Sequence, residues 1–305
     1  MWRIAKKVLL GFLAVVLVVV VFLAGLIVYE GMQGSARLEA ITNTRIPSPN
    51  GPEIRAYVAR PATPGPHPAV IMIHEFFGLN EEIIGKAQAL AEEGYVVIAP
   101  DVFRGSTTQQ VPRAIYQVVS NSAEQVNTDL DAVTAWLAAQ PDIQADRIGI
   151  MGFCFGGRTS LLYSLHNNQI AATAVLYGNP VTEAERLKSL PGPVLGIFGE
   201  ADQSIPLDNV RKFEAALNEA GVPNDITIYP GQPHAFVTSI AAIRQGGPQG
   251  EAWQQVLDFF KQTLQAQTSS SRVVTSSRAD DAFGLDYLAL LAVEHLRHES
   301  THAQH

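Results

Sequence analysis

The chain opens with a long apolar run that no polar residue interrupts. Residues 8–28, VLLGFLAVVLVVVVFLAGLIV, carry no charge and contain no strong helix breaker. As a helix rising about 1.5 Å per residue, they would span roughly 30 Å, which is the thickness of the hydrocarbon core of a bilayer. Residues 1–30 are therefore predicted to form one transmembrane helix.

The charges beside this run predict its orientation. Arg3, Lys6 and Lys7 precede it, and Glu30 follows it. Because positive residues stay on the cytoplasmic side, we expect a single-pass signal-anchor with the body of the protein on the non-cytoplasmic side of the membrane. The alternative is a cleaved signal peptide and a secreted protein, with the small residues 34–36 at the cleavage site. Cleaved signals usually have apolar regions of about 7–15 residues, so the length favours a retained anchor.

After residue 37 the pattern changes to short apolar runs that alternate with amphipathic segments. Continuous apolar runs of this length are typical of strands buried on both faces of a sheet, and apolar residues at every third or fourth position are typical of helices. The predicted strands are 53–59, 69–74, 95–100, 147–153, 170–178, 193–199 and 225–230, and the predicted helices include 80–93, 124–139, 207–220 and 249–264. This alternation predicts an α/β domain over 37–266, with a mainly parallel sheet and helices on both faces.

The C-terminal part of the chain departs from this alternation. Residues 267–281, QTSSSRVVTSSRADD, are rich in serine and predict a linker. Residues 282–305 begin with a Leu-rich segment of helical character and end in a polar tail. The pattern assigns no role to this tail.

Composition and charge narrow the possible functions. The protein has 305 residues, a formal net charge of −8 and one cysteine, Cys154. An acidic balance without basic runs argues against nucleic acid as a partner. A single cysteine excludes an internal disulfide, so the thiol is either a small buried apolar group or a reactive one.

Cys154 lies in the sequence MGFCFGGRT, directly after the predicted strand 147–153. Gly152, Gly156 and Gly157 would relieve crowding in a sharp turn from strand to helix, with the sulfur at the carboxyl end of the strand, where open sheets bind ligands. The positive N-terminus of the following helix would favour a thiolate. The pattern is the nucleophile turn G-x-S-x-G with Cys in place of Ser. The alternative is a structural cysteine beside a Gly-rich packing contact.

Two later strand ends supply the other groups that a thiol nucleophile needs, a base and a residue that orients the base. Asp202 follows the strand 193–199, and His234 follows the strand 225–230. The order Cys, Asp, His is that of the α/β-hydrolase fold. We therefore predict a catalytic triad of Cys154, Asp202 and His234, in which Asp202 fixes the tautomer of the imidazole.

Five segments resemble the dienelactone hydrolase family in order and spacing, namely HEFFGLN, APDVFRG, GFCFGG, GEAD and PHAF. The resemblance covers about residues 45–265 and implies the same triad. It also implies that Glu75 contacts the resting cysteine and exchanges partners when substrate arrives, and that the backbone N–H groups of Phe76 and Phe155 form the oxyanion hole. It implies no metal and no organic cofactor.

The sequence also departs from this family. Members that act on dienelactone carry an arginine four residues after the histidine, which holds the carboxylate of the substrate, whereas Thr238 stands at that position here. A second substrate-binding arginine would follow the APD segment, as Arg104 or Arg113. Loss of a bidentate carboxylate clamp weakens selectivity for acidic lactones, so we expect a broader range of esters or lactones.

These observations predict a membrane-anchored cysteine hydrolase that cleaves carboxylic esters or lactones through an acyl-enzyme on Cys154. The expected partners are a small-molecule substrate and, through the N-terminal helix, the membrane. The sequence assigns no oligomeric state. Two alternatives stay open: an acyltransferase or thioesterase that uses the same triad, and a catalytically inert hydrolase-like scaffold that binds a ligand.

Overall fold

An eight-stranded sheet forms the centre of the computed structural model, which describes residues 2–265. The predicted linker 267–281 and the Leu-rich tail 282–305 lie outside the described residues. The strands are β1 (Thr44–Ile46), β2 (Ile54–Ala59), β3 (His67–Ile73), β4 (Val96–Pro100), β5 (Ile143–Phe153), β6 (Ile170–Leu176), β7 (Val194–Gly199) and β8 (Asn224–Tyr229). The strands predicted from apolar runs all form, with ends shifted by a few residues.

The strands follow the order β1-β2-β4-β3-β5-β6-β7-β8 across the sheet. β1 pairs with β2 and β2 pairs with β4 in antiparallel fashion, whereas β3 to β8 run parallel. All residues of β4 and β7 are buried, as expected for strands covered on both faces. This arrangement confirms the α/β-hydrolase fold, and it delivers the loops after the parallel strands to one edge of the sheet.

Helices connect the strands, and their ends follow local sequence signals. Asn80 caps α2 by accepting a hydrogen bond from the backbone N–H of Ile83, and Gly221 ends α7 with a φ of 71°. The helices are α1 (Trp2–Ile41), α2 (Glu81–Glu92), α3 (Val111–Ser120), α4 (Ala123–Ala138), α5 (Phe155–His166), α6 (Ala184–Leu187), α7 (Leu207–Ala220), α8 (Ile240–Gln245) and α9 (Gly247–Phe260), which continues into a π-helical turn, Lys261–Gln265.

The hydrophobic pattern alone does not predict β1, α3, α6 or α8. β1 has three residues and α6 has four, too few to show a period. α3, VPRAIYQVVS, is rich in β-branched residues, which have low helix propensity. It packs against α1, so tertiary contacts support it where local preference does not.

α1 extends to Ile41, well beyond residue 30, where the apolar run predicts its end. Residues 29–41 mix polar and charged residues with apolar ones, but they contain no proline, and the helix continues through them. α1 is the one helix within residues 2–265 that is long and apolar enough to cross a membrane. A signal sequence near the N-terminus can also be long and apolar enough to meet this description.

The second half of α1 packs against the body of the protein. Gly34 and Leu38 are buried, and an added Cβ on Gly34 would lie 1.9 Å from the carbonyl oxygen of Thr107. Arg37 donates a hydrogen bond to the same oxygen at 3.3 Å. The predicted domain start at residue 37 therefore falls inside a helix that is packed on the loop between β4 and α3.

We predict that Gly34→Ala weakens this docking. The new methyl group would overlap the Thr107 carbonyl, and overpacking of this kind costs about 1–3 kcal/mol. The matched control is Gly25→Ala, because an added Cβ there meets nothing within 4 Å. Hydrogen exchange of residues 27–41 and 104–108, measured by mass spectrometry on the full chain in detergent, should accelerate in Gly34→Ala only. Unchanged protection of both segments would show that the close contact does not hold α1 in place.

Candidate active site

The turn between β5 and α5 holds Cys154 in a strained conformation. Its φ is 55° and its ψ is −113°, a region that residues with a side chain rarely adopt. Two glycines allow the close packing that this turn needs. An added Cβ would lie 2.2 Å from the carbonyl oxygen of Gly156 if placed on Gly152, and 2.3 Å from that of Ile73 if placed on Gly156. Because no other residue fits these two positions, the glycines fix the path of the chain on both sides of the cysteine.

His234 and Asp202 meet at the same edge of the sheet, from the loops after β8 and β7. Nδ1 of His234 lies 2.7 Å from Oδ2 of Asp202, and both side chains are buried. The other carboxylate oxygen accepts hydrogen bonds from the backbone N–H and hydroxyl of Ser204, both at 2.8 Å, and from the N–H of Ile205 at 3.0 Å. Asp202 is thus fixed as an acceptor, so Nδ1 of His234 carries the proton.

The charges of this pair shift both pKa values. Burial alone would lower the pKa of His234, but the charge of the Cys154 sulfur and the hydrogen bond to Asp202 raise it well above its ordinary value. Burial alone would raise the pKa of Asp202, but the hydrogen bond and charge of His234, with the bonds from Ser204 and Ile205, lower it. These shifts favour an imidazolium beside the carboxylate once the sulfur carries a negative charge.

The second nitrogen of the imidazole is available to the sulfur. Nε2 of His234 is buried and makes no hydrogen bond within the part of the chain that the structure describes. Cys154 lies near enough to raise the pKa of the imidazole through its charge and through a side-chain hydrogen-bonding interaction, although no contact at Nε2 reaches full hydrogen-bond geometry. The arrangement leaves one imidazole nitrogen held by the acid and the other facing the thiol.

Tyr177 completes the packing around the imidazole, and the sequence pattern gave no reason to select it. Its ring meets that of His234 edge-on, with centroids 5.4 Å apart, and its hydroxyl donates to the carbonyl of Val237 at 3.3 Å. Its φ is 40°, at the carboxyl end of β6. Burial raises its pKa well above the ordinary value, and the charges of Glu75 and Cys154 add to that shift. Its place directly after a buried parallel strand was the signal that could have identified it.

The loop after β3 carries Glu75 and Phe76, and His74 holds this loop in place. Nε2 of His74 accepts a hydrogen bond from the backbone N–H of Val102 at 3.2 Å, so its Nδ1 carries the proton and donates to the carbonyl of Glu75 at 2.8 Å. Burial lowers the pKa of His74 to about 4, so the ring is neutral at physiological pH. The histidine is therefore a structural link between the loops after β3 and β4.

The Glu75 carboxylate is half-buried and makes no hydrogen bond or ion pair with another residue in the range 2–265. Its charge raises the pKa of Tyr177, as does that of Cys154, so both groups lie within electrostatic range of the Tyr177 hydroxyl. The approach of Gly156 to the carbonyl oxygens of Ile73 and His74 brings the start of α5 against the β3 loop. Phe76 and Phe155, the predicted oxyanion residues, are both buried at this junction.

Lys86 is a second residue that the sequence pattern did not select. It is buried on α2, its Nζ donates to the carbonyl oxygen of Thr238, and its ammonium lies 5.0 Å from the ring centroid of Phe153. Burial lowers its pKa, and the charges of Glu75 and Glu82 oppose that shift. A lysine on the apolar stripe of a helix was the available signal.

The three predicted substrate-binding residues all have structural partners. Arg104 makes two hydrogen bonds to Asp129 on α4, at 2.8 and 3.1 Å. Arg113 donates to the carbonyl of Ile27 on α1 at 3.3 Å. Thr238 is exposed, and its N–H and hydroxyl both donate to a side chain on α9. None of these contacts supports the predicted role in substrate binding. No group of three or more His, Cys, Asp or Glu within residues 2–265 is arranged to hold a metal ion.

Comparison with known proteins places this geometry among hydrolases. The sequence model of the dienelactone hydrolase family matches residues 54–264. Proteins with the provisional name carboxymethylenebutenolidase are similar to the chain. The protein of Methylorubrum extorquens is 34% identical, and the match covers 72% of this chain and 79% of that protein. The protein of Escherichia coli K12 is 35% identical, and the match covers 72% of this chain and 86% of that protein. The crystal structure of a provisionally named dienelactone hydrolase from Klebsiella pneumoniae is 38% identical, with a TM-score of 0.64 over 72% of this chain and 97% of that chain.

We predict that Asp202→Asn lowers the pKa of His234, because the neutral amide no longer stabilises the imidazolium. A raised folded-state pKa contributes stability that is present below the unfolded pKa of about 6.5 and is lost as pH rises through the folded value. The free energy of unfolding of the wild-type protein should therefore fall more steeply above that pH than that of the variant.

Nitrogen NMR of the imidazole and thermal unfolding at several pH values, on the full chain in detergent, would measure both effects. Asp208→Asn is the control, because the side chain of Asp208 is 81% exposed on α7. An imidazole pKa that is the same in the wild type and in Asp202→Asn would refute the assignment of Asp202 as its electrostatic partner.

Proposed function

The chain belongs to the dienelactone hydrolase family and is a hydrolase of ester or lactone bonds, and we propose that it works through a covalent acyl-enzyme on Cys154. The observation that carries this proposal is the position of His234. One ring nitrogen is bonded to Asp202 at 2.7 Å, and the other is buried, without a hydrogen bond among the described residues, beside the only thiol of the chain. This is the geometry of a base that is oriented by an acid and directed at a nucleophile.

In the acylation step, Nε2 of His234 takes the proton of the Cys154 thiol, and the thiolate attacks the carbonyl carbon of the substrate. A C–S bond forms, and the carbonyl oxygen becomes an oxyanion that the backbone N–H groups of Phe76 and Phe155 stabilise. The C–O bond of the leaving group then breaks, and the imidazolium protonates the departing oxygen.

In the deacylation step, His234 accepts a proton from water, and the resulting hydroxide attacks the thioester carbon. The same backbone groups hold the second oxyanion. The C–S bond breaks, the sulfur recovers its proton from the imidazolium, and the carboxylic acid leaves. The raised pKa of His234 supports both half-reactions, because it favours the imidazolium that each of them forms.

Glu75 regulates the nucleophile in this proposal. A carboxylate beside a sulfur disfavours the thiolate, so the resting cysteine is kept as a thiol until the carboxylate turns away. The half-buried Glu75 side chain has no bonded partner within residues 2–265 that would prevent the movement. The ammonium of Lys86, whose pKa responds to the charge of Glu75, supplies a cation toward which it can turn.

The proposed substrates are carboxylic esters or lactones without a requirement for an acidic group. Thr238 stands where members that act on dienelactone carry an arginine, and its side chain is bonded to Gln249. Arg104 and Arg113 are held by Asp129 and by α1. Because both arginines are held in structural contacts, neither is available to donate hydrogen bonds to a carboxylate on the substrate.

We further propose that α1 is a retained anchor and not a cleaved signal. The small residues 34–36, at which a cleavage site was considered, lie in the part of α1 that packs on Thr107. Cleavage after Ala36 would remove Gly34, which packs on Thr107, and Ile27, whose carbonyl accepts a hydrogen bond from Arg113. The positive residues before the apolar run support an orientation with the body on the non-cytoplasmic side.

Cys154→Ala is expected to lower kcat by about 10³ or more, by analogy with the loss of other nucleophiles in triads. The assay would use the full chain in detergent with short 4-nitrophenyl esters and small lactones. Intact-mass spectrometry of the rapidly quenched wild-type enzyme should show an acyl group, which peptide mapping should place on Cys154. Turnover that survives Cys154→Ala unchanged would rule out this mechanism.

Glu75→Gln is expected to raise the rate of alkylation of Cys154 by iodoacetamide at neutral pH roughly three- to tenfold, because it removes a negative charge beside the sulfur. Glu81→Gln is the matched control, since Glu81 is exposed in the first turn of α2. An alkylation rate for Glu75→Gln equal to that of the control would remove Glu75 from the regulation of the thiol.

A further inference from the structure

Outside α1, only two large apolar side chains remain strongly exposed in the described part of the chain. They are Tyr116, 49% exposed, and Val119, 58% exposed. Both lie on α3, three residues apart, and therefore on one face of the helix. We call Tyr116 and Val119 the α3 face. Two exposed apolar residues scattered over a surface need no explanation, but these two occur together on the helix that packs against α1.

The α3 face lies at the level where the apolar run of α1 ends. Arg113 donates a hydrogen bond to the carbonyl of Ile27, and its guanidinium lies 5.0 Å from the ring centroid of Tyr116. Gly31 faces the same guanidinium. Because the apolar run ends at Val28, only about 5 Å of helix separates its end from Gly31. If α1 crosses a bilayer, Tyr116 is therefore close to the boundary between hydrocarbon and water.

The chemistry of the α3 face suits that boundary. Tyrosine is enriched at membrane–water interfaces, because its ring is apolar and its hydroxyl is polar, and the exposed Val119 beside it adds apolar surface. A second protein copy is a weaker candidate, because a stable dimer buries roughly 800 Å² on each partner, more than two side chains provide. The contact with the apolar helix next to it therefore favours lipid as the occupant of this face.

The α3 face is also connected to the candidate active site. The loop between β4 and α3 lies on the loop that carries Glu75, since the backbone N–H of Thr108 donates to the carbonyl of Phe77 at 2.9 Å. The ring of Phe103, in the same segment, meets that of Phe155 with centroids 4.9 Å apart. The wall of the site and the α3 face thus belong to one continuous segment, 101–120.

From these contacts we infer that α3 rests in the headgroup region of the bilayer that α1 crosses, and that the enzyme takes carboxylic esters with a long hydrocarbon chain directly from that bilayer. This inference rests on the proposed ester hydrolysis and on the proposed anchor. To those two proposals the inference adds where the substrate comes from, the bilayer, and its class, long-chain esters. Commitment of Arg104 and Arg113 to structural contacts agrees with a substrate that is apolar and not acidic.

The position of α3 can be measured with a spin label on the full chain in phospholipid vesicles. In a Cys154→Ala background, Val119→Cys carries the label, Val20→Cys reports the apolar run and Glu214→Cys, on α7, reports the exposed body. Oxygen should relax the label at 119 faster than the label at 214. A water-soluble nickel complex should relax the label at 119 more slowly than the label at 214. A label at 119 that behaves like the one at 214, with the label at 20 in lipid, overturns the inference and leaves the anchor intact. A label at 20 that is exposed to water overturns both the inference about α3 and the proposed anchor.

The source of the substrate can be tested with Tyr116→Ser/Val119→Ser in the otherwise wild-type chain. Turnover of a long-chain ester dissolved in vesicles should fall roughly fivefold or more, because the variant sits less deeply in the interface. Turnover of a short, water-soluble ester should stay within about twofold, since neither residue touches the triad. Lys212→Ser/Glu214→Ser on α7 is the control. An equal loss of turnover on both esters, or no loss of turnover on either, overturns delivery of the substrate from the bilayer. Failure of the proposed function itself would appear differently, as no hydrolysis of the short ester by the wild type.

Discussion

The close packing of the first turn of α5 against the end of β3 is the constraint on which the site depends. Gly156 lies so near the carbonyls of Ile73 and His74 that a Cβ would overlap both. This contact fixes the direction of α5, and the chain can enter the helix only if Cys154 takes a positive φ. Such a conformation costs about 1–3 kcal/mol and persists only when the surrounding structure determines it. The hydrogen bond from the N–H of Cys154 to Leu176, at 2.9 Å, is part of that support.

The same contact has an electrostatic consequence. It places the sulfur at the edge where the ends of β3, β6, β7 and β8 deliver Glu75, Tyr177, Asp202 and His234. A buried charge is costly unless it is paired, and the site contains more acidic than basic groups. His234 balances Asp202 through a direct bond, so its charge remains favourable for a thiolate. The charge of Glu75 acts on Lys86 without a bond between them, which in the proposed mechanism allows Glu75 to move. A tightly bonded Glu75 would be stable but unable to respond to substrate.

Sequence patterns predict the strands and the residues at their ends, because both depend on local features. A buried parallel strand is a short apolar run, and a functional residue directly after it needs no knowledge of the fold to be suspected. The prediction of Cys154, Asp202 and His234 at one edge used only this reasoning and the order along the chain. Their catalytic role remains a proposal, although the structure brings them together.

What the sequence could not predict are contacts that depend on partners far along the chain. Arg104 and Arg113 were selected as free cations, but their partners are Asp129 on α4 and Ile27 on α1. α3 has weak local helix preference, and its packing on α1 could not be read from either segment alone. The same is true of Lys86, which donates a hydrogen bond to the backbone carbonyl of the distant Thr238. In each case the residue type was known, but its contact partner lies far along the chain and depends on the tertiary structure.

The docking of α1 offers a physical explanation for one departure from the family pattern, the structural role of Arg113. Arg113 occupies the segment where a carboxylate-binding arginine was expected, yet its donors are used by the backbone of α1 and by Ser106. A cation that holds an anchor helix in place is not available for a substrate anion. In the proposed function, anchoring to a bilayer and loss of acid recognition would both follow from the contact between Arg113 and α1. If α1 anchors the enzyme beside lipid as proposed, apolar esters are present there at high local concentration, so weak recognition of the acyl chain would be sufficient and a clamp for a soluble acid would have no use.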